Sequence, residues 1–229
     1  MTEDWRRLDP GVPSGREVLA RCLTATGDMQ LQRRAGHYEI ICNGVFLMAS
    51  YNGQSERLLA RETLAAVQGA ELRVLVGGLG IGYTVQAVLE DRRVVGCDVV
   101  EIEPLIVDWH RRHFAPLCGR PLDDPRAQLI EGDLYDLPLP PATYDAILLD
   151  TDNGPDWLSR LENARLYRAE SRARFLAALT MRGRLAVWTP EGTAEVSRRS
   201  GSWPGPAGTS ARPGRARTAG GRRRLGRSP

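Results

Sequence analysis

The sequence predicts an α/β fold: a doubly wound, mostly parallel sheet preceded by a small antiparallel β meander. Three observations carry that expectation. From Leu72 onward, short and continuously apolar stretches alternate with helical ones, the pattern of strands buried on both faces. A glycine-rich turn, Gly77 to Gly82, stands directly between the first such strand and its helix. Ahead of them, Asp28 to Ser50 alternates polar and apolar residues and is punctuated by turn signals.

Each element follows in order. Residues 1–27 read as an N-terminal extension, and 28–54 as the meander. Its three runs, beginning at Met29, Tyr38 and Val45, are separated by Ala35-Gly36 and Asn43-Gly44. Ser55 to Val67 is a helix whose Leu58, Leu59, Ala65 and Ala66 mark an apolar face. Strands are then expected at Leu72–Val76, Val94–Ile102, Ala127–Ile130, Tyr144–Leu149 and Arg184–Thr189. Helices are expected at Tyr83–Glu90, from Pro104 to about Phe114, and at Glu170–Leu179. These make 55–196 one Rossmann-like domain, expected from the site residues described below to bind a nucleoside and carry the catalysis. A further helix is expected to start within 191–199, and the strands that would normally complete such a sheet are expected to be missing.

Composition limits the chemistry. All 31 basic side chains among the 229 residues are arginine, so a Schiff-base lysine or a P-loop lysine is excluded. Residues 1–196 carry a net charge of −6, whereas 197–229 hold nine arginines and no acid. That last segment is poor in large apolar residues and is expected to be disordered. Its composition is what a GC-rich reading frame yields out of register, so a frameshifted or truncated end is expected in preference to a basic arm holding nucleic acid non-specifically through phosphates. Four widely spaced cysteines, no charge-free run of about 18 apolar residues and a charged N-terminus point to a reduced, cytoplasmic protein without a membrane span.

The candidate site residues follow the strands, where ligands of such sheets bind. The Gly77–Gly82 loop, with Gly78, Gly80 and Gly82, lets the backbone approach a ligand at a helix N-terminus. Glu101 ends the second strand 21 residues after Gly80, the place for an acid that accepts from both ribose hydroxyls. Glu103, one strand step on, reads as solvated. Asp133 follows the third strand and would accept from an adenine amine or cap a helix. Asp150 and Asp152, after the fourth strand, suit binding and deprotonation of an amine. No metal site is expected: His110 and His113 read as a solvated basic helix face, and the loop after Asp150 lacks the spaced acceptors of a calcium site.

Together these residues resemble the spermidine synthase family and its spermidine-synthase-like bacterial branch, which share the class I methyltransferase, Rossmann-like sheet. The matching stretches are Asn43 to Leu47, Gly77 to Gly82, Val100 to Pro104, Asp124 to Arg126 with Gly132-Asp133, and Tyr144 to Asp150. The resemblance implies aminopropyl transfer from decarboxylated S-adenosylmethionine to an amine acceptor such as putrescine, in polyamine biosynthesis. It implies that the glycine loop faces the methionine-derived tail, Glu101 the ribose, Asp133 the adenine and Asp150 the acceptor amine. It also implies a homodimer. Two departures are visible. The loop position where the family carries Asp is Ile81, and the family's Asp-x-x-Asp-Pro-x-Gly-Pro stretch is shortened to Asp150–Pro155. Ile81 favours, as the alternative, methyl transfer from intact S-adenosylmethionine. The incomplete sheet leaves open a non-catalytic nucleoside-binding protein.

Overall fold

Four antiparallel strands come first: β1 (Arg16–Thr24), β2 (Gly27–Arg34), β3 (His37–Cys42) and β4 (Val45–Ala49), hydrogen-bonded in sequence order. This is a computed structural model, and the residues it describes are 15–151, 158, 161–189 and 192–197. The meander thus begins within the stretch read as an extension. β1 escapes a pattern reading because most of its side chains face water, and a bulge between Val18 and Ala20 breaks its period-two alternation. Met29 opposite Cys42 and Leu31 opposite Ile40 form the buried face of the sheet. They pack with Ile81, Ile106, Trp109 and Phe114, which fixes the meander against the second layer.

After α1 (Gln54–Ala66), a six-stranded sheet forms from β5 (Leu72–Gly77), β6 (Val94–Glu101), β7 (Ala127–Glu131), β8 (Tyr144–Leu149), β9 (Leu179–Thr189) and β10 (Gly192–Ser197). Its order is β10-β9-β8-β5-β6-β7. The first five pair in parallel, while β10 runs antiparallel to β9. The connecting helices are α2 (Tyr83–Glu90), α3 (Pro104–Trp109) and α4 (Ala169–Ala178). Alternate residues of each strand feed opposite cores. Val74, Val76 and Leu148 pack with α1 and α2, whereas Leu75, Ile147 and Leu149 pack with Phe175 of α4. This is the doubly wound arrangement that continuous apolar strands require.

Two expectations are corrected. Residues 192–197 are a strand paired in hairpin register with β9, Gly192 opposite Thr189, not a helix. The alternation Thr193-Ala-Glu-Val196 has a period of two, which suits a strand. The sheet edge is therefore extended by one strand where the terminal strands were expected to be missing. The helix from Pro104 also stops early: it passes into a π-helical turn at His110–Phe114 and a 3₁₀ turn at Ala115–Cys118. Residues 198–229, including nearly all of the arginine-rich segment, lie outside the described residues.

Two Asp-x-Arg units close the helix-to-strand connections. The Arg93 guanidinium donates to the carbonyls of Leu64 and Val67 at the end of α1, each at 2.8 Å, and pairs with Asp91. Arg126 donates to Leu89 at 2.8 Å and Val94 at 3.0 Å and pairs with Asp124. One planar fork thus satisfies carbonyls that a helix end leaves free and a carboxylate at the same time. A lysine cannot reproduce it. Arg93→Lys and Arg126→Lys are each expected to lower stability by about 1 to 2 kcal/mol in urea denaturation. Unchanged midpoints would show the forks to be ornamental.

Candidate active site

The topology reverses direction beside β5, since β6 and β7 lie on one side of it and β8 on the other. A crevice opens at such a point beyond the carboxyl ends of the strands. Here the ends of four neighbouring strands deliver, in spatial order, Asp150 from β8, the glycine loop from β5, Glu101 from β6 and Asp133 from β7. Gly78, Gly80, Glu101, Asp133 and Asp150 all line one cleft.

The glycine loop is shaped by what crowds it. Gly78 has φ +94° and lies so close to β8 that a Cβ would stand 2.2 Å from the carbonyl oxygen of Asp150. Gly82, the N-cap of α2, has φ +100°, and a Cβ there would meet the His110 ring at 2.7 Å. Any side chain is therefore both strained and obstructed at these positions. Gly82 does not line the cleft; it turns the chain into α2. Below the loop, the carbonyl of Ile81 sits 3.1 Å from His110 Nδ1 and accepts from the Cys118 thiol at 3.2 Å. His110 is thus buried, 1% exposed, and the reading of it as part of a solvated face is corrected. It stands one helical turn after Ile106 and Val107, continuing the buried face of α3, which brings it under the loop. Burial pushes its pKa below the usual histidine value.

Glu101 is 8% exposed. Its two oxygens accept from the N–H of Leu79 and the N–H of Glu103, both at 2.9 Å. Burial raises the carboxyl's pKa, and these backbone donors, with those of Gly80 and Ile102, partly offset the rise. The loop N–H groups expected to face a ligand are in part taken by this carboxylate. Glu103 is also buried, at 6%, rather than solvated. It caps α3 by accepting from Leu105 N–H at 3.1 Å and accepts from the hydroxyls of Thr24 and Thr26.

Asp133 accepts from Tyr135 N–H at 2.8 Å and pairs with Arg165, whose guanidinium lies over the Tyr135 ring. No helix begins at Asp133, so the helix-cap reading is corrected: its carboxylate closes the turn at 134–136 and lines the cleft. Asp150 accepts a 2.5 Å hydrogen bond from Thr84 on the first turn of α2. Burial, with a smaller contribution from the Glu56 charge, raises its pKa from 3.8 to about 7, against the lowering by Thr84. Asp152 lies outside the described residues. The meander side of the wall comes through Thr26, Met29, Cys42, Leu47 and Met48, of which only Leu47 falls in a stretch that the sequence marked as a motif.

No protein-family model matches the chain. Among curated proteins, putrescine N-methyltransferase 1 of Nicotiana tabacum is 34% identical over 83 residues, 35% of this chain and 22% of that protein. Putrescine N-methyltransferase 1 of Nicotiana attenuata is equally identical over the same length, 21% of that protein. Among solved structures, spermidine synthase in complex with the transition-state analogue AdoDATO superposes with a TM-score of 0.66 over 75% of this chain. The chain has the spermidine synthase fold. That structure is 17% identical in sequence, and the match covers 57% of its chain. Spermidine synthase from Thermotoga maritima gives a TM-score of 0.63 at 18% identity, covering 75% of this chain and 56% of that one. The chain therefore spans little more than half of the spermidine synthases it matches, and the stretch it shares with the methyltransferases is about a fifth of theirs.

Within this spermidine synthase fold, Ile81 places no side chain in the cleft. It is 4% exposed and packs with the meander core. No helix among the described residues is long and apolar enough to cross a membrane, and no group of three or more metal-ligating side chains occurs among them. The raised pKa of Asp150 has a consequence for stability. Between 3.8 and about 7 the folded state binds the extra proton, so its contribution is complete below that window and is lost as pH rises through it. Asp150→Asn is expected to exceed the wild type in stability by about 1 to 3 kcal/mol at pH 8, and to match it below pH 4, in denaturant titrations at both values. Equal stability at pH 8 would contradict the burial of this charge.

Proposed function

We propose that this chain is a spermidine-synthase-like transferase that takes decarboxylated S-adenosylmethionine and an amine acceptor, putrescine or a close relative. The observation that carries the reading is the charge of the cleft. Glu101, Glu103, Asp133 and Asp150 line it, and no arginine or histidine among the described residues does. Arg165, which pairs with Asp133, is not part of the lining. A ligand with an ammonium at its tail and an ammonium acceptor fits such a cleft. A tail that also bears a carboxylate meets like charge at close range, which is unfavourable where water is scarce.

In this reading Glu101 and Asp133 hold the ribose and the adenine amine with the acceptor capacity their protein hydrogen bonds leave unused. The tail lies along Gly78 and Gly80, under the thioether of Met48. The bound sulfonium supplies an activated carbon: the acceptor nitrogen attacks it, the carbon–sulfur bond breaks with its electron pair going to sulfur, and a neutral thioether leaves. Asp150 removes the acceptor's ammonium proton. A carboxylate with a pKa near 7 is suited to that work, because it is ionised above neutrality yet still basic enough to take a proton. Thr84 orients it. Most of the acceleration comes from alignment of amine and sulfonium carbon in one cleft.

The relatives that methylate putrescine support the same acceptor class with a different group transferred. Mass spectrometry of the product separates the two: an aminopropylated amine is expected, and a methylated one would transfer the assignment to methyl transfer from intact S-adenosylmethionine. Asp150→Asn is expected to lower turnover at least a hundredfold while nucleoside binding persists. Unchanged turnover would remove Asp150 from the reaction. The pH–rate profile should rise through about pH 7, and Thr84→Val, which deletes the hydrogen bond that lowers the Asp150 pKa, should move that limb upward. A limb at the same pH in the variant would mean that another group is titrating.

A further inference from the structure

We propose that Glu103 is a positioning residue: it docks the β1–β2 turn onto the cleft and, through its own N–H, sets the carboxylate of Glu101 against the glycine loop. The inference deepens the cofactor reading given above and rests on it only for the identity of the ligand. A continuous set of hydrogen bonds carries it. Glu103 Oε2 accepts from Thr24 Oγ1 at 2.8 Å and from Thr26 Oγ1 at 2.5 Å. Thr26 N–H in turn donates to Thr24 Oγ1 at 3.0 Å, which leaves the Thr24 hydroxyl proton for Glu103. Glu103 Oε1 accepts from Leu105 N–H at 3.1 Å. The Glu103 N–H donates to Glu101 Oε1 at 2.9 Å, and Glu101 Oε2 accepts from Leu79 N–H at 2.9 Å.

The asymmetry of burial makes this a latch rather than an incidental contact. The two threonines are only half-buried and can turn to water, but Glu103 is 6% exposed and cannot. If the turn swings away, the Glu103 carboxylate loses two of its three donors together with the cover that keeps water from it, and only water can replace them. The turn leads into β2 and carries Thr26 and, beyond it, Met29, both in the wall of the cleft. With the latch made, the meander closes one side of the site, and the same residue that holds it also fixes Glu101.

The test uses Thr24, which does not line the cleft, in full-length protein. Thr24→Val removes one hydroxyl donor, and Thr24→Ser restores it. Hydrogen exchange in the unliganded protein reads the latch directly. The Leu79 amide should exchange about five- to tenfold faster in Thr24→Val and at the wild-type rate in Thr24→Ser, with Val88 in α2 unchanged in both. Methylthioadenosine affinity, measured by calorimetry, should fall by a similar factor in the valine variant and recover in the serine variant. An unchanged Leu79 rate, or an equal rise at Leu79 and Val88, overturns the latch. If exchange responds as stated but the wild type binds no methylthioadenosine, the latch stands and the cofactor reading fails.

Discussion

A carboxylate almost wholly removed from water has to be satisfied by the protein around it, and Glu101 is satisfied by the backbone of the glycine loop and of its own strand end. The N–H groups of Leu79 and Glu103 converge on it. Burial works against its charge, and those donors are what make the charge tolerable. The loop is held on its other sides by equally specific contacts. Gly78 passes within touching distance of the Asp150 carbonyl, and the carbonyl of Ile81 is held from below by His110 and Cys118. Remove the bonds at Glu101 and the loop loses a side-chain tie to the end of β6 that its backbone bond from Gly78 to Val100 does not replace.

One consequence is electrostatic. Loop amides that would otherwise face a ligand anion are partly used by the protein's own acid, so the cleft keeps the character of its carboxyl groups. Among the described residues, Arg165 pairs with an acid of the cleft lining, Asp133, and the other arginines named here serve elsewhere. They fork helix ends to carboxylates at Arg93 and Arg126, lie over a tyrosine ring at Arg57, and pair across the surface at Arg21, Arg33 and Arg61. A chain rich in arginine thus presents an acidic site, and its overall basic balance owes nothing to the cleft.

Much of this was legible in the sequence because the signals were local. Strands buried on both faces show as unbroken apolar runs, and a glycine loop between strand and helix locates the crevice. Gly78, Gly80, Glu101, Asp133 and Asp150 all stand at or just beyond strand ends, and these five share one cleft. What escaped was set by tertiary contact. β1 hides its strand character because most of its side chains, apolar Val18 and Leu23 included, face water and a bulge breaks its alternation. Glu103 looks solvated until the β1–β2 turn, far away in sequence, is seen to cover it. Thr84 is one residue of a helix, and its role exists only because β8 ends beside that helix. His110 belongs to a basic run whose two arginines are exposed, but it continues the buried face that Ile106 and Val107 begin on α3. Ile81, where the resembled family carries an acid, turns its side chain into the core, which leaves that position without a carboxylate at the cleft.

In the proposed function, an acidic cleft that no arginine or histidine among the described residues lines selects a ligand whose tail is purely cationic. Calorimetric titration of the intact protein with decarboxylated S-adenosylmethionine and with S-adenosylmethionine tests it most directly. Binding of the decarboxylated form tighter by at least tenfold is the result expected from one added carboxylate facing like charge. Equal affinities, or a preference for the intact form, would contradict it.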